Sequence, residues 1–140
     1  MLEKTLFLIK PDGVSRGLTR EIFARLEKAN LKVAVCKQLL LSSRQAAELY
    51  QPHRGQDFYP GLIKFITSGP VVACVVEGEQ AIARLRQLMG DTNPMLAKAG
   101  TIRADLREDK VTDQNGTIKN LAHASDSLAS SQREIAIFFK

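Results

Sequence analysis

A chain of 140 residues is long enough for one domain with a substantial hydrophobic core. Its apolar runs are too short to cross a bilayer, which excludes a membrane-spanning protein. The net charge of +5 comes from scattered Lys and Arg residues, so it fits anionic small molecules, loose attraction to nucleic acid or a solvated surface better than a dedicated basic arm.

The apolar pattern predicts alternating strands and helices. Residues 5–9 form an almost wholly apolar run that is stopped by Lys10-Pro11-Asp12-Gly13, which indicates a strand covered on both faces and then a turn. The other predicted elements are, in chain order, helix 19–29, strand 31–41, a helix from 42 or 43 to 50, helix 61–67, strand 71–76, helix 79–89, a strand ending at 121–122 and helix 128–139.

The first and third of these strands are the most apolar, so we expect them in the middle of one sheet. This arrangement predicts an α/β (α+β) fold, a ferredoxin-like sandwich in which helices cover a four-stranded antiparallel sheet. Residues 1–140 are expected to form a single domain. Residues 90–120 show little periodicity, and a loop of that length in a compact domain is typically functional.

The two cysteines, Cys36 and Cys74, both lie in apolar runs and have neither metal-site nor disulfide-framework spacing. We therefore expect buried free thiols in a reducing compartment. Because Met1-Leu2-Glu3-Lys4 leads directly into a strand pattern, no signal peptide is expected and the predicted location is cytoplasmic.

The stretch Asn120-Leu121-Ala122-His123-Ala124-Ser125-Asp126-Ser127 holds one of the two histidines. It reads as a strand end followed by a helix cap, and the next helix carries Leu128, Ile135 and Phe138 on one face. A histidine on such a turn is held rigidly and is mostly neutral near neutral pH, which suits a nucleophile. The local sequence fits a packed or capping histidine as well.

Isolated polar groups lie at several corners of the predicted fold, although the chain has neither a GxxxxGK[ST] loop nor a GxGxxG motif. If they converge near His123, they would neutralise a polyphosphate and orient one phosphorus toward the imidazole. Taken one at a time, each fits a surface residue. These residues are Lys10, Arg86, Thr92 and Arg103.

Five motifs in one order make the chain resemble the nucleoside diphosphate kinases over nearly its whole length. They are Lys10-Pro11-Asp12-Gly13, Ser68-Gly69-Pro70-Val71-Val72, Gly90-Asp91-Thr92-Asn93-Pro94, Gly100-Thr101-Ile102-Arg103-Ala104-Asp105 and His123-Ala124-Ser125-Asp126-Ser127. The resemblance implies a ferredoxin-like fold and Mg²⁺-dependent transfer of the γ-phosphate from a nucleoside triphosphate to a nucleoside diphosphate. It also implies a ping-pong route through a phosphohistidine.

The resemblance further implies roles for individual residues. His123 corresponds to the phosphorylated nucleophile, Ser125 and Glu134 to the pair that supports it, and Tyr50 to a neighbour of the imidazole. Sugar hydroxyls are assigned to Lys10 and Asn120, with Lys10 also near the terminal phosphate. The phosphates are assigned to Arg86, Thr92 and Arg103, and the base to Phe58 beside Leu62. No metal site made of protein side chains alone is implied.

The chain departs from the family pattern in three places. Gln56 stands where the family usually has Arg or Lys, followed by Asp57 for the usual Pro, and Arg54 is a possible substitute. Ala124 replaces the glycine after the nucleophile. The stretch between Arg103 and Asn120 is several residues longer than usual, so the base-side contact opposite Phe58 is open between Thr117 and Ile118.

Several alternatives remain at this point. The likeness to short-tailed family members predicts a homo-oligomer, a tetramer or a hexamer, and no specific nucleic-acid partner. A non-catalytic nucleotide- or nucleic-acid-binding module would keep the same fold but lacks the paired strand aromatics of RNA-binding sheets. A structural oligomer with a site damaged at Gln56 is a third interpretation. Asp126 fits a helix cap or a contact with metal-bound water, and His53 fits a solvated loop.

Overall fold

The computed structural model describes residues 1–139 of the chain. Strands and helices alternate along these residues as the apolar pattern predicts. In chain order they are β1 (Leu2–Ile9), α1 (Pro11–Ser15), α2 (Thr19–Lys28), β2 (Lys32–Leu39), α3 (Ser43–Leu49), a 3₁₀ turn (Gln51–His53), α4 (Tyr59–Ile66), β3 (Val71–Glu79), α5 (Ala81–Met89), α6 (Ile102–Asp105), β4 (Ala122–Ala124) and α7 (Leu128–Phe138).

The four strands form one antiparallel sheet in the order β2-β3-β1-β4. The two apolar strands, β1 and β3, are therefore central, and the predicted ferredoxin-like arrangement is confirmed. In the register of β1 with β4, Phe7 is opposite Ala124 and Leu8 is opposite His123. The short strand β4 thus carries His123 at the edge of the sheet, directly beside the central strand β1.

Helices bury both faces of the sheet. Phe7 and Ile9 of β1 point to a cluster formed with residues of α2, α5 and α6, while Leu6 and Leu8 point to a second cluster formed with residues of α3, α4 and α7. Successive side chains of a strand alternate between faces, which is why a continuous apolar run is required in β1. The predicted burial of this strand on both faces is confirmed.

Some predicted boundaries are wrong because local signals compete. The turn expected after β1 includes the short helix α1, whose first residue Pro11 has a φ angle that suits a helix start. The structureless stretch expected over residues 90–120 contains α6 and a small hairpin, in which Thr112 and Ile118 form an antiparallel bridge. Both elements are too short for their apolar residues to show a helix or strand period.

Two predictions about burial are also wrong. Cys36 is exposed and only Cys74 is buried, because β2 lies at the edge of the sheet and is accessible along most of its length. Of the predicted apolar face of α7, Phe138 is buried and Ile135 packs against the same cluster, but Leu128 is about half exposed. The start of this helix lies beside a polar cavity lined by Ser130, so the apolar pattern is wrong only for its first turn.

None of the helices within residues 1–139 has the length and apolar character that crossing a membrane requires.

Candidate active site

A cavity of about 470 Å³ lies beside β4, bounded by α7, the α3–α4 connection and the 111–119 hairpin. It gathers residues that are more than 100 positions apart in the sequence. The predicted site residues that line it are Lys10, Tyr50, Phe58, Leu62, Arg86, Thr92, Arg103, Asn120, His123 and Glu134. Ser125, the remaining one, is fully buried behind the wall and reaches the site through Glu134.

A strained turn just before His123 fixes the strand that carries it. Leu121 has a φ of +74°, and the amide of Ala122 donates to the carbonyl of Asn120 at 2.8 Å, which makes a γ-turn of the rare positive-φ kind. The Leu121 carbonyl accepts from the Lys10 amide at 2.8 Å, and its amide donates to Asp12 Oδ2 at 3.0 Å. Two bonds from one distant segment, residues 10–12, therefore hold the turn in place.

Arg103 supplies most of the remaining support for this turn. Its guanidinium donates to the carbonyls of Asn120 at 3.1 Å, Ala122 at 2.7 Å and Gly90 at 3.1 Å. Burial and the neighbouring charge of Arg86 lower the pKa of Arg103 to about 10, so it remains a cation at neutral pH. The family resemblance assigns this arginine to phosphates, but its geometry also makes it a brace for the backbone.

The ring of His123 is oriented by a buried carboxylate. His123 Nε2 lies 2.7 Å from Glu134 Oε1, and the hydroxyl of Ser125 donates to the same oxygen at 2.8 Å. A carboxylate in that position accepts from Nε2–H, so the lone pair resides on Nδ1, which has no hydrogen-bond partner among residues 1–139. Burial lowers the pKa of His123 and outweighs the opposing effect of Glu134, so the ring is neutral at neutral pH.

A chain of polar side chains borders the imidazole on the other side. Lys10 Nζ donates to Asn120 Oδ1 at 2.9 Å, and Asn120 Nδ2 donates to the Thr92 carbonyl at 2.9 Å. Burial, followed by the charge of Arg103, lowers the pKa of Lys10 to about 8. The ring of Tyr50 meets His123 edge-on with centroids 5.9 Å apart, and its buried hydroxyl has no partner among the described residues.

The far end of the cavity is apolar and more open. Phe58 is about half exposed and lines it together with Leu62, while Gly116, Thr117 and Ile118 of the hairpin form the opposite wall. The hairpin packs so closely on α4 that a side chain at Gly61 would not fit, since its Cβ would lie only 2.6 Å from Thr117 Oγ1. Both candidates for the contact opposite Phe58 therefore line the cavity.

Comparison with known proteins assigns this arrangement to a family. A sequence model described as nucleoside diphosphate kinase matches residues 3–140. The chain belongs to the nucleoside diphosphate kinase family. It is 45% identical over 139 residues to a nucleoside diphosphate kinase of Desulforamulus reducens, covering 99% of this chain and 89% of that protein. It is 46% identical over 140 residues to that of Thermus thermophilus, with 99% and 96% covered.

Solved structures agree with this assignment. A nucleoside diphosphate kinase from Borrelia burgdorferi, a transition-state mimic with bound vanadate and ADP, matches with a TM-score of 0.91 and 39% identity over 99% of this chain and 88% of that one. A halophilic nucleoside diphosphate kinase from Halobacterium salinarum, in complex with CDP, matches with a TM-score of 0.88 and 42% identity over 100% and 89%. The predicted family and enzyme class are confirmed.

Sequence reasoning missed some residues of the site. Asp12 was part of a motif interpreted only as a turn, yet it is buried and bonds the γ-turn. His53, interpreted as a solvated loop residue, is exposed but lines the cavity, with its ring 5.4 Å from that of Phe58. Arg133 donates to Glu134 Oε2 at 3.3 Å and to the Glu48 carbonyl at 2.5 Å. No local pattern signals such contacts between distant segments.

The departure at Gln56 and its candidate substitute, Arg54, lie outside the cavity. Neither Arg54 nor Gln56 is among the residues that line it, and both are exposed. Ala124 has an ordinary extended conformation in β4, so no positive φ is required where the family usually has glycine.

Proposed function

We propose that this chain is a nucleoside diphosphate kinase that carries the γ-phosphate on Nδ1 of His123, in a ping-pong cycle between nucleoside tri- and diphosphates. The observation that carries the proposal is the bond from His123 Nε2 to Glu134 Oε1. It supports the tautomer whose lone pair is on Nδ1, and this nitrogen would be the nucleophile at the wall of a cavity lined by Lys10, Arg86 and Arg103.

The first half-reaction needs positioning and charge stabilisation more than proton transfer. Nδ1 attacks the γ-phosphorus, the Nδ1–P bond forms, and the bond to the bridging oxygen breaks so that the nucleoside diphosphate leaves. As the ring becomes a cation, Glu134 stabilises it through Nε2–H, and the Ser125 hydroxyl keeps the carboxylate in place. The second half-reaction returns the phosphoryl group to another nucleoside diphosphate by the same contacts.

The cations of the cavity are suited to the charge that develops on the phosphoryl oxygens. Arg86 donates one bond to the Ala124 carbonyl at 2.8 Å, so the strand bearing His123 and the cation are tied together. Thr92 lines the cavity beside Asn120. We assign phosphate binding to Arg86, Thr92 and Arg103, and sugar hydroxyls to Lys10 and Asn120.

Tyr50 is the remaining polar group at the nucleophile. Its buried hydroxyl is without a partner among residues 1–139, and burial raises its pKa, so it stays protonated. A hydroxyl in that state donates a hydrogen bond to an incoming phosphoryl oxygen or sugar hydroxyl.

The residues fit a Mg²⁺ ion that arrives with the nucleotide. Residues 1–139 contain no cluster of three or more His, Cys, Asp or Glu side chains that could hold a metal by themselves. The carboxylate of Asp126 lines the cavity, and hydrogen bonding from Ser130 lowers its pKa, so it is ionised and available to a hydrated ion. When bound, Mg²⁺ neutralises part of the polyphosphate charge.

The base is expected to stack on Phe58, with Leu62 beside it and Thr117 and Ile118 opposite. Stacking accepts any base, because every base presents a π-face. We also propose one domain over residues 1–140, a cytoplasmic location, and assembly into a tetramer or hexamer. The exposed apolar side chains of Met95 and Leu96 support an assembly, since adjacent apolar groups of this size favour burial against another subunit.

The deciding experiment is a phosphoenzyme assay with purified protein, γ-labelled ATP and Mg²⁺. We expect an acid-labile, base-stable label on the chain that moves to added GDP and is absent in His123→Ala. His53→Ala is the matched control, because it removes the other histidine and should leave labelling on His123 intact. A folded protein that binds nucleotide but takes no label would contradict the proposal and favour a non-catalytic binding module.

A further inference from the structure

The two cysteines of the chain lie opposite each other in the sheet, away from the nucleotide cavity. In the antiparallel register of β2 with β3, Cys36 pairs with Cys74. Opposite residues in such a pair have Cα atoms about 4.5–5.5 Å apart and side chains on the same face. A disulfide spans Cα separations of about 4.4–6.8 Å, so the backbone already satisfies its main requirement.

The two thiols differ in their access to solvent. Cys36 is exposed at the edge strand, whereas Cys74 is fully buried in the cluster that includes Phe7 and Val76. Burial, with a smaller contribution from the neighbouring Cys36, raises the pKa of Cys74. An oxidant in solution therefore meets Cys36 first, while Cys74 is held next to it and is protected from direct attack.

We propose that Cys36 and Cys74 form an oxidation site in which a hydroperoxide oxidises Cys36 and Cys74 then closes an intrachain disulfide between β2 and β3. This pairing of an exposed thiol with an adjacent second thiol is the arrangement that converts a sulfenic acid into a disulfide before it is oxidised further. The chain has no third cysteine to compete.

The chemistry balances in two steps. The Cys36 thiol releases its proton to solvent and the thiolate attacks one oxygen of the hydroperoxide. The O–O bond breaks, Cys36 sulfenic acid forms, and the hydroxide or alkoxide that leaves takes up a proton from solvent to give water or an alcohol. The Cys74 sulfur then attacks Cys36 Sγ, the S–O bond breaks, and the disulfide forms with release of water. Sulfur is oxidised by two electrons overall and the peroxide is reduced by two.

The location suggests what the bond does to the fold. β2 is one of the two edge strands and pairs only with β3 among the described residues. A bond from Cys36 to Cys74 ties this edge to the centre of the sheet, and β1 still separates it from His123 on β4. We expect oxidation to leave the phosphotransfer geometry in place.

The test treats the intact, reduced protein with a small excess of hydrogen peroxide and then counts free thiols and maps non-reduced peptides by mass spectrometry. We expect both thiols to be lost together, an intact mass lower by two hydrogen atoms, a peptide linking Cys36 to Cys74, and full recovery with dithiothreitol. Cys36→Ser is the matched variant: it keeps the core residue, and its Cys74 should retain a free thiol under the same treatment.

Three results would overturn this proposal. One is Cys36 carrying sulfinic acid while Cys74 remains a free thiol. Another is a Cys36–Cys36 bond between two chains. The third is a protein whose thiols are both unchanged after peroxide has oxidised a reference thiol of similar exposure. Phosphoenzyme formation by Cys36→Ser is measured in parallel, so failure of this site is distinguished from loss of the kinase.

Discussion

The two ends of the cavity are built in opposite ways: the phosphate end, to which we assign the phosphates, and the base end, to which we assign the base. At the phosphate end, Lys10, Arg103, Asn120 and Glu134 are nearly inaccessible to solvent and each makes hydrogen bonds to another segment of the chain. At the base end, Phe58 is half exposed and no side-chain hydrogen bond holds it. The proposed nucleophile is therefore held by buried bonds, whereas the proposed base site is a surface that would select for shape and π-character.

The difference follows from what each end must accomplish. Phosphoryl transfer is sensitive to small displacements of the reacting atoms, so the nucleophile benefits from a turn with little freedom to move. Stacking tolerates displacement within a plane, so the base end can rest on a single aromatic ring and a hairpin. Variants at the two ends should separate into effects on chemistry and effects on nucleotide affinity.

The largest effect is expected from Arg103→Lys. A lysine has one nitrogen and cannot serve the carbonyls of Asn120, Ala122 and Gly90 together, so buried acceptors lose their donors. We expect a loss of about 2–4 kcal/mol in the free energy of unfolding and roughly a 100- to 1,000-fold loss in kcat/KM. Denaturant titration and steady-state kinetics measure both.

Arg107→Lys is the control for that variant, because it makes the same exchange on an exposed side chain that, among residues 1–139, donates a hydrogen bond only to Met95 sulfur. Stability within about 0.5 kcal/mol of the parent for Arg103→Lys would mean that the guanidinium does not brace the γ-turn.

Lys10→Met should separate stability from function. The lowered pKa of Lys10 means that burying its charge destabilises the folded protein at neutral pH, and a shift of one pKa unit corresponds to about 1.4 kcal/mol. Removing the charge is expected to raise the free energy of unfolding by about 1–2 kcal/mol, after the lost bond to Asn120 is counted. It should also reduce kcat/KM roughly 100-fold.

An exposed lysine, Lys4→Met, provides the control for Lys10→Met, since it makes the same change where solvent screens the charge. A Lys10→Met variant that is less stable and fully active would contradict both expectations, namely that the buried charge destabilises the fold and that it contributes to catalysis.

The pH dependence of kcat/KM is expected to be broad, with limits set by His123 and Lys10. Because burial lowers the pKa of His123, the ring stays neutral until the pH falls below its ordinary value of about 6.5. Lys10 loses its proton as the pH rises through about 8, so phosphate attraction weakens above that value. A decline that begins near neutral pH on the acid side would contradict this assignment.

The same Lys10 pKa has a stability consequence with a defined sign. Between about pH 8 and 10.5, the unfolded chain binds more protons at this side chain than the folded chain does. The contribution of Lys10 to the free energy of unfolding therefore rises with pH across this window. Comparing the pH dependence of unfolding for the parent and Lys10→Met isolates that contribution.

At the base end, Phe58→Ala is expected to raise KM by roughly 10-fold with little change in kcat, because stacking on an aromatic ring contributes about 1–3 kcal/mol and the ring is only half buried. Leu40→Ala, another exposed apolar truncation, should leave both constants unchanged. A fall in kcat with unchanged KM would place Phe58 in the chemical step and remove the contrast between the two ends.

The sequence predicted the central strands and the members of the site for different reasons. The unbroken apolar run in β1 is sufficient for a strand buried on both faces, whereas convergence of Lys10, Arg86 and Arg103 came only from the resemblance to a family. The positive φ of Leu121 has no local signal, because the bonds that permit it come from Asp12 and Arg103, which are distant in sequence. Leu128 was misplaced for a related reason: periodicity cannot indicate that a helix faces a polar cavity.

The smallest effect is expected from Gln56→Arg, which restores the cation usual in the family. Gln56 is exposed, its recorded bonds are through the backbone to His53 and Tyr59, and it does not line the cavity. A charge placed there is screened by solvent over about 10 Å, so kcat/KM should change by less than roughly 3-fold. A gain of 10-fold or more would show that the present site is impaired and that the phosphate end extends beyond its buried residues. Repeating the measurement at high salt distinguishes a screened surface charge from a direct phosphate contact. The surface charge loses its effect at high salt, whereas the direct contact retains most of it.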